Sequence, residues 1–150
     1  MINQSPSSFA SRRNRLKPLA LGALGALTFV TLGYEIFFTY ATQGLGYGFS
    51  SNRPTVTFSP LAKRISRVYA NQVEASSYMV PILAAAAFVG LATPLAETAA
   101  LLLVLGRVWF VVFYYIGFPF VRIIGFLGGS MGTLILIVLL VQTFLATGGA

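Results

Sequence analysis

Residues 123–150 read IIGFLGGSMGTLILIVLLVQTFLATGGA and contain no charged side chain. An apolar run of this length can cross a bilayer as a helix, which takes about 20 residues. Three further runs of comparable length precede it, at 19–40, 75–96 and 95–116. Because all four runs are continuous rather than alternating, they predict helices and exclude a β-barrel. We therefore expect an all-α membrane protein built as a bundle of four transmembrane helices.

The four helices are predicted near 19–40, 62–92, 95–116 and 122–146, in a single domain covering 1–150 with a basic tail at 1–18. The second helix is expected to begin before its apolar part, because the cations near its start can snorkel into the headgroup region. Thr93-Pro94 joins the second and third helices tightly into a hairpin. Gln43 to Pro60, rich in Gly, Ser and Pro, is the only long loop that the sequence indicates.

The composition limits both the surroundings of the chain and its chemistry. Of the 150 residues, 57% are hydrophobic and 9% are charged, whereas soluble domains carry about 25% charged residues. The sequence has neither Cys nor His. Thiolate nucleophiles, histidine bases and the commonest metal ligands are thereby excluded, and we expect no metal site. Any chemistry has to use Arg, Tyr, Ser, Thr or the three acids.

The net charge of +7 is concentrated at the ends of the predicted helices. Four cations precede the first apolar run and four lie between the first and the second: Arg12, Arg13, Arg15, Lys17, Arg53, Lys63, Arg64 and Arg67. Cations in these positions meet lipid headgroups, so we expect membrane lipids and no nucleic acid as partners. Because the cations are distributed nearly equally on the two sides of the first helix, they leave the orientation of the chain in the membrane open. Ser11 to Lys17 resembles a twin-arginine export signal, but without a suitable cleavage site we interpret it as the flank of an uncleaved helix.

Ionisable side chains at membrane depth are the candidates for a functional site, because each costs at least ~2.5–3.5 kcal/mol there. Arg67, Asn71 and Glu74 are spaced i, i+4, i+7 and share one face of the second helix. Arg107 and Tyr114 form a similar stripe on the third. One interpretation is a structural ion pair between Glu74 and Arg107. The other is a polar cleft that binds an anionic zwitterion, with arginines on its carboxylates and Glu74 on its ammonium.

Two motifs in this region resemble the signature of the MAPEG family, the membrane-associated proteins in eicosanoid and glutathione metabolism. They are Arg67-x-x-x-Asn71-x-x-Glu74 and Gly106-Arg107-x-x-Phe110-x-x-x-Tyr114-x-x-Gly117-x-Pro119-x-x-Arg122. The resemblance covers Ser59 to about Gly132 and looks closest to the bacterial branch of the family. It departs from the family at Phe110, where a tyrosine is common, and in the spacing of fifteen residues between Arg107 and Arg122.

The resemblance implies a homotrimer that holds glutathione, as co-substrate, between neighbouring subunits in a bacterial inner membrane. The implied activity is that of a glutathione transferase or peroxidase acting on lipophilic electrophiles. By position, the glutathione contacts would be Arg67, Asn71, Glu74, Arg107 and Tyr114. Arg122 would be the catalytic residue that stabilises the glutathione thiolate, since a cation beside a thiol raises its thiolate fraction.

Two other functions are compatible with the same sequence. The family includes a lipid-presenting scaffold without catalysis, and a scaffold would keep the fold while lacking turnover. A small proton-coupled multidrug transporter would instead use Glu35, the single acid in the first apolar run. Exporters of that kind have short loops, whereas the connection after the first helix is long here.

Overall fold

The computed structural model describes residues 16–148, which form four long helices and one short helix. They are α1 (Leu16–Gln43), α2 (Leu45–Phe49), α3 (Pro60–Phe88), α4 (Pro94–Ile116) and α5 (Pro119–Ala146). No strand occurs between residues 16 and 148. The prediction of an all-α protein is therefore confirmed, and the hairpin between the second and third predicted helices corresponds to α3 and α4.

Side-chain caps and glycines fix the helix boundaries. The hydroxyl of Ser59 accepts a hydrogen bond from the amide of Ala62 at 3.1 Å, and that of Thr93 accepts one from Ala96 at 3.1 Å. A proline follows each cap at the first helical position, where its missing N–H costs nothing. Gly117 ends α4 with φ 95°, a left-handed conformation that glycine adopts without strain.

The end of α3 corrects the predicted boundary. The sequence places the end of the second helix at 92, but α3 ends at Phe88. Gly90 adopts φ 69° and its amide donates to the carbonyl of Ala87 at 3.1 Å, while the amide of Leu91 donates to Ala86 at 3.0 Å. This left-handed turn terminates the helix before the Thr93-Pro94 signal is reached.

The helices pack in two antiparallel pairs. α1 lies along α3 and α4 lies along α5, and fewer contacts join one pair to the other. Leu24, Met79, Leu83, Leu103 and Leu136 are all buried and belong to the apolar core between the pairs. α1 ends, α3 begins and α4 turns into α5 at one end of the bundle, as the contact between Tyr34 and Tyr115 shows. We call it the loop end, because it carries the connection 44–59.

Three of the helices, α1, α4 and α5, are long and apolar enough to cross a membrane. α3 is equally long, but its first turns carry cations and it does not belong to that set. The crossing of the second predicted helix therefore stays a prediction. Most of the predicted basic tail lies outside the described residues. The prediction assigns Lys17 to that tail, but Lys17 lies in the first turn of α1 and is buried. It is close enough to Glu97 on α4 for their charges to interact.

Glycines bring α4 and α5 into backbone contact. A Cβ at Gly106 would overlap the backbone nitrogen of Gly129 and the carbonyl oxygen of Gly125. Gly132 is in similar contact with the carbonyl of Ala99. Because small residues allow close approach, the seam is held by many short van der Waals contacts, which replace the hydrophobic effect inside a bilayer.

We expect Gly106→Ala to lower the melting temperature of the detergent-solubilised protein clearly. The reason is that α4 and α5 must separate to accommodate the methyl group, although alanine is favoured over glycine in a helix by about 1 kcal/mol. Gly128→Ala is the matched control, because a Cβ there would meet the side chain of Leu102 at 3.5 Å and the Cα of Gly106 at 3.8 Å, both ordinary van der Waals distances. Equal melting temperatures for the two variants would contradict the backbone contact.

Candidate functional site

Arg107 is a buried cation in the middle of the bundle, with 1% of its surface exposed. Its Nη1 and Nη2 each donate to the side-chain oxygen of Asn71 at 3.1 Å, and Nη2 also donates to the Asn71 carbonyl at 3.3 Å. Its Nε and Nη2 donate to the side-chain oxygen of Gln72 at 3.1 and 2.8 Å. The guanidinium thus joins α4 to α3 through two neighbouring amide side chains.

Gln72 extends this network to α1. Its side-chain nitrogen donates to the hydroxyl of Thr28 at 3.2 Å and to that of Ser76 at 3.4 Å, and the two hydroxyls lie 3.0 Å apart. The amide therefore uses its oxygen for Arg107 and its nitrogen for α1 and α3, so its polar groups are satisfied although it is buried. Gln72 was not predicted from the sequence. The available signal was a polar residue on the same helix face as the buried Val68, Ala75 and Met79.

The hydrogen-bond partners of Arg107 are neutral amides, so the guanidinium does not form the ion pair with Glu74 that the sequence suggested. Glu74 is not among the groups that the guanidinium contacts. Glu74 is exposed, and its backbone carbonyl accepts a hydrogen bond from the Ser77 hydroxyl at 2.6 Å. The ion-pair interpretation of Glu74 with Arg107 is therefore wrong. The positive charge of Arg107 is solvated by amide oxygens, and its hydrogen-bond partners within residues 16–148 include no carboxylate.

A row of two aromatic rings between two cations leads from Arg107 to the loop end. The guanidinium carbon of Arg107 lies 4.8 Å from the ring centre of Phe110, and that ring packs edge-on against Tyr114 at 5.4 Å. The guanidinium carbon of Arg122 lies 4.2 Å from the ring centre of Tyr114. Both cation–ring distances are in the range of favourable cation–π contacts. We call these four residues the cation–aromatic row.

Arg67 lies in a different place. It lines a cavity of about 270 Å³ at the loop end, together with Glu35, Arg53 and Lys63. The structure thus brings Asn71 together with Arg107, and it brings Tyr114 together with Arg122. It places Arg67 and Glu74 on the exposed side of α3, away from the Arg107 guanidinium. The predicted stripe along α3 is therefore divided between two environments in one copy of the chain.

The chemistry of these groups is electrostatic. A guanidinium stays charged at any working pH and donates hydrogen bonds without accepting them, so Arg107 and Arg122 can bind anions but cannot act as bases. Within residues 16–148, no three His, Cys, Asp or Glu side chains are grouped so that they could hold a metal ion. The arrangement is suited to holding a negatively charged group near the loop end.

Comparison with known proteins gives a family and no individual relative. A model described as the MAPEG family matches residues 18–142, which include α3, α4 and nearly all of α1 and α5. Neither a search of curated proteins nor a search of solved structures found a match. The matched region contains the Arg107 network, the cation–aromatic row and the cavity at the loop end.

We expect Arg107→Met to lower thermal stability strongly, because it leaves the buried oxygen of Gln72 and the half-buried oxygen of Asn71 without donors. Each orphaned acceptor costs roughly 1–3 kcal/mol. Arg107→Lys should recover part of the loss, since an ammonium keeps the charge but cannot reach both amides as a fork does. The control is Arg53→Met at the exposed connection, and melting in detergent is the measurement. An Arg107→Met protein as stable as the control would refute the bridging role.

Proposed function

This chain belongs to the MAPEG family, and on that premise we propose that it is a glutathione-dependent membrane enzyme of the transferase or peroxidase type. Its three long apolar helices together with its family make it an integral membrane protein. Its second substrate would be a lipophilic electrophile that arrives from the bilayer. Glutathione would enter from the water at the loop end, where Arg53, Lys63, Arg64, Arg67 and Arg122 lie.

The observation that carries the proposal is the uncompensated charge of Arg107. A buried cation that is held only by neutral oxygens is costly, and an anion nearby lowers that cost. Arg122, at the other end of the cation–aromatic row, is half-buried and adds a second fixed positive charge. A tripeptide with two carboxylates and a thiolate would supply the negative charge that this region lacks.

The proposed residue roles follow from how accessible each side chain is. Arg67 and Glu74 are exposed and would contact the carboxylate and ammonium of glutathione directly. Arg107 is enclosed by Asn71 and Gln72, so it would attract the anion through the field of its charge and hold Asn71 in place. Tyr114 would present its hydroxyl beside Arg122.

Arg122 would stabilise the thiolate. A free thiol has a pKa near ~8.5, and a cation in a poorly hydrated site lowers it, which raises the fraction of the reactive thiolate at neutral pH. The thiol proton passes to water, and the sulfur then forms a bond to the electrophilic carbon as the leaving group departs with its electron pair. The guanidinium takes no proton in this step and acts by electrostatic stabilisation alone.

We also propose four membrane crossings and a homotrimer. Tyr78 is 41% exposed, and Arg67 and Glu74 are exposed on the same side of α3. If α3 crosses the bilayer, these groups would meet lipid in a single copy, at a cost of a few kcal/mol for each charge. A neighbouring copy that covers this face would remove the cost and form a polar cleft between subunits.

The transporter alternative rests on Glu35, and the geometry does not favour it. Glu35 lines a cavity together with three cations instead of standing alone in an apolar path. The scaffold alternative keeps the binding site and lacks the turnover, so it is separated from the enzyme by the kinetic experiment below.

We expect saturable glutathione binding by calorimetry and conjugation of glutathione to an apolar aryl halide. Arg122→Ala should lower kcat at least about tenfold with little change in glutathione affinity, because its charge acts on the thiolate. Arg67→Ala should mainly weaken binding. Arg64→Ala, which removes a cation from the same end of the bundle, is the control and should change neither quantity. Binding without turnover would establish the scaffold, and an unchanged rate in Arg122→Ala would refute the role of Arg122.

We expect native mass spectrometry in mild detergent to give the mass of three copies. Replacing Glu74 by Leu should weaken the assembly, because Glu74 then no longer offers a polar partner to the neighbouring copy. Val73→Leu, at an exposed apolar position next to it, is the matched control. A wild-type protein that is only monomeric or dimeric under these conditions would contradict the homotrimer.

A further inference from the structure

The cavity at the loop end has a composition that the proposed glutathione chemistry does not use. It lies between the last turns of α1, the connection 44–59 and the first turns of α3. Its volume of about 270 Å³ is just below the ~300–1,000 Å³ typical of pockets for drug-sized ligands. Of the six residues that the family resemblance assigns to the glutathione site, only Arg67 lines it. The cavity is complete within one copy of the chain.

The charges of the cavity are unequal but of both signs. Arg53, Lys63 and Arg67 face one acid, Glu35, so the formal balance of these four groups is three positive charges against one negative. Arg53 is anchored in the wall, since its Nη2 donates to the carbonyl of Gly48 at 3.3 Å. Its guanidinium carbon also lies 5.6 Å from the ring centre of Tyr47. The cations are thus presented on a connection and on a helix start, at separate points around the cavity.

The remaining wall combines hydroxyl groups with apolar side chains. The hydroxyl groups belong to Thr39, Thr42, Ser66 and Tyr47, and the apolar surface comes from Phe38, Phe58, Ala62 and Ile65. Because α1 is apolar enough to span a membrane and ends beside the cavity, the cavity lies where the hydrocarbon gives way to headgroups. A ligand here meets charged groups on one side and apolar surface on the other, as a phospholipid does.

We propose that this cavity binds the headgroup of an aminophospholipid, with its phosphate on Arg53 and Lys63 and its primary ammonium on Glu35. Arginine and lysine are the usual donors to phosphate oxygens. A carboxylate facing the cations disfavours a purely anionic headgroup and favours one that carries its own ammonium. The hydroxyl groups of Thr39, Ser66 and Tyr47 can donate to the remaining phosphate oxygens, and the phenylalanines can pack against the glycerol and the first acyl carbons.

The experiment measures lipid retention by the full-length protein. The protein is purified in detergent, stripped of lipid, and incubated with equal amounts of phosphatidylethanolamine and phosphatidylglycerol, and bound lipid is counted by native mass spectrometry. We expect the wild type to retain one phosphatidylethanolamine per chain in preference to phosphatidylglycerol. Lys63→Gln and Arg53→Gln should each lower retention about tenfold, as expected for the loss of a charge-assisted hydrogen bond.

Arg64→Gln is the matched control for surface charge. Arg64 neighbours Lys63 in sequence, but its guanidinium lies against Gly117 at the α4–α5 turn and does not line the cavity. Retention should be unchanged in this variant, and an equal loss in Arg64→Gln and Lys63→Gln would overturn the defined site. Melting curves of all variants exclude unfolding as the cause of a loss.

Glu35→Gln tests the ammonium contact, because the amide keeps the size and removes the charge. We expect it to abolish the preference for phosphatidylethanolamine over phosphatidylglycerol, and a preserved preference would overturn the assignment.

Water-soluble glycerophosphoethanolamine is added as a competitor to distinguish a membrane lipid from a free headgroup as the ligand. Weak competition supports a membrane lipid, whereas competition at the concentration of the lipid itself would overturn the lipid as ligand. No contact with glutathione is proposed for Lys63, Arg53 or Glu35. A negative result for lipid retention therefore leaves the proposed enzyme untouched, and a negative result for glutathione conjugation leaves the lipid site testable.

Discussion

The hydrogen bonding of the Arg107 guanidinium by Asn71 and Gln72 holds the two helix pairs together. Apolar side chains drive helices out of water but attract one another little more than they attract lipid, so specific contacts have to set their arrangement in a membrane. Arg107 supplies such contacts from α4 to α3, and Gln72 passes them on to Thr28 of α1. Because the guanidinium of Arg107 is planar and rigid, its hydrogen bonds to two adjacent amide side chains allow only one register between α3 and α4.

α3 takes part in two basic regions at different levels of the bundle. Asn71 and Gln72, further along the helix, bind Arg107, whereas Lys63 and Arg67, in its first turns, line the cavity at the loop end. The first region is buried and its charge is surrounded by amide oxygens, whereas the second is open to the surface and contains the carboxylate of Glu35. The same kind of side chain therefore has different uses in the two regions, set by burial and by the partners available.

The helices were predictable from the sequence, while the partners of their polar side chains were not. Length and apolarity define a spanning helix without reference to its neighbours, and Thr93-Pro94 marks the hairpin by local backbone chemistry. Helical periodicity places Arg67 and Asn71 on one stripe, but it does not state where the boundary between core and surface divides that stripe. Arg107 and its partner Asn71 were identified at depth, but the second partner, Gln72, was not, because a carboxylate is the more obvious partner for a cation.

The conformation of the connection 44–59 could not be predicted from the sequence for a related reason. Its conformation depends on contacts such as Arg53 with Tyr47, and these follow from no period in the sequence. The cavity that this connection encloses, and the position of Arg67 inside it, could therefore not be derived beforehand. The same holds for Lys17, whose burial depends on how the start of α1 meets α4.

The glycine seam between α4 and α5 has a mechanical consequence. Backbone packed on backbone has no side chains that can rotate out of the way, so Gly106 and Gly129 make these two helices a stiff unit. The opposing pair, α1 and α3, meets this unit over a thinner boundary, at which the Arg107 fork is the main polar link. We therefore expect the bundle to deform by movement of the α1–α3 pair relative to the α4–α5 pair, with Arg107 at the boundary between them.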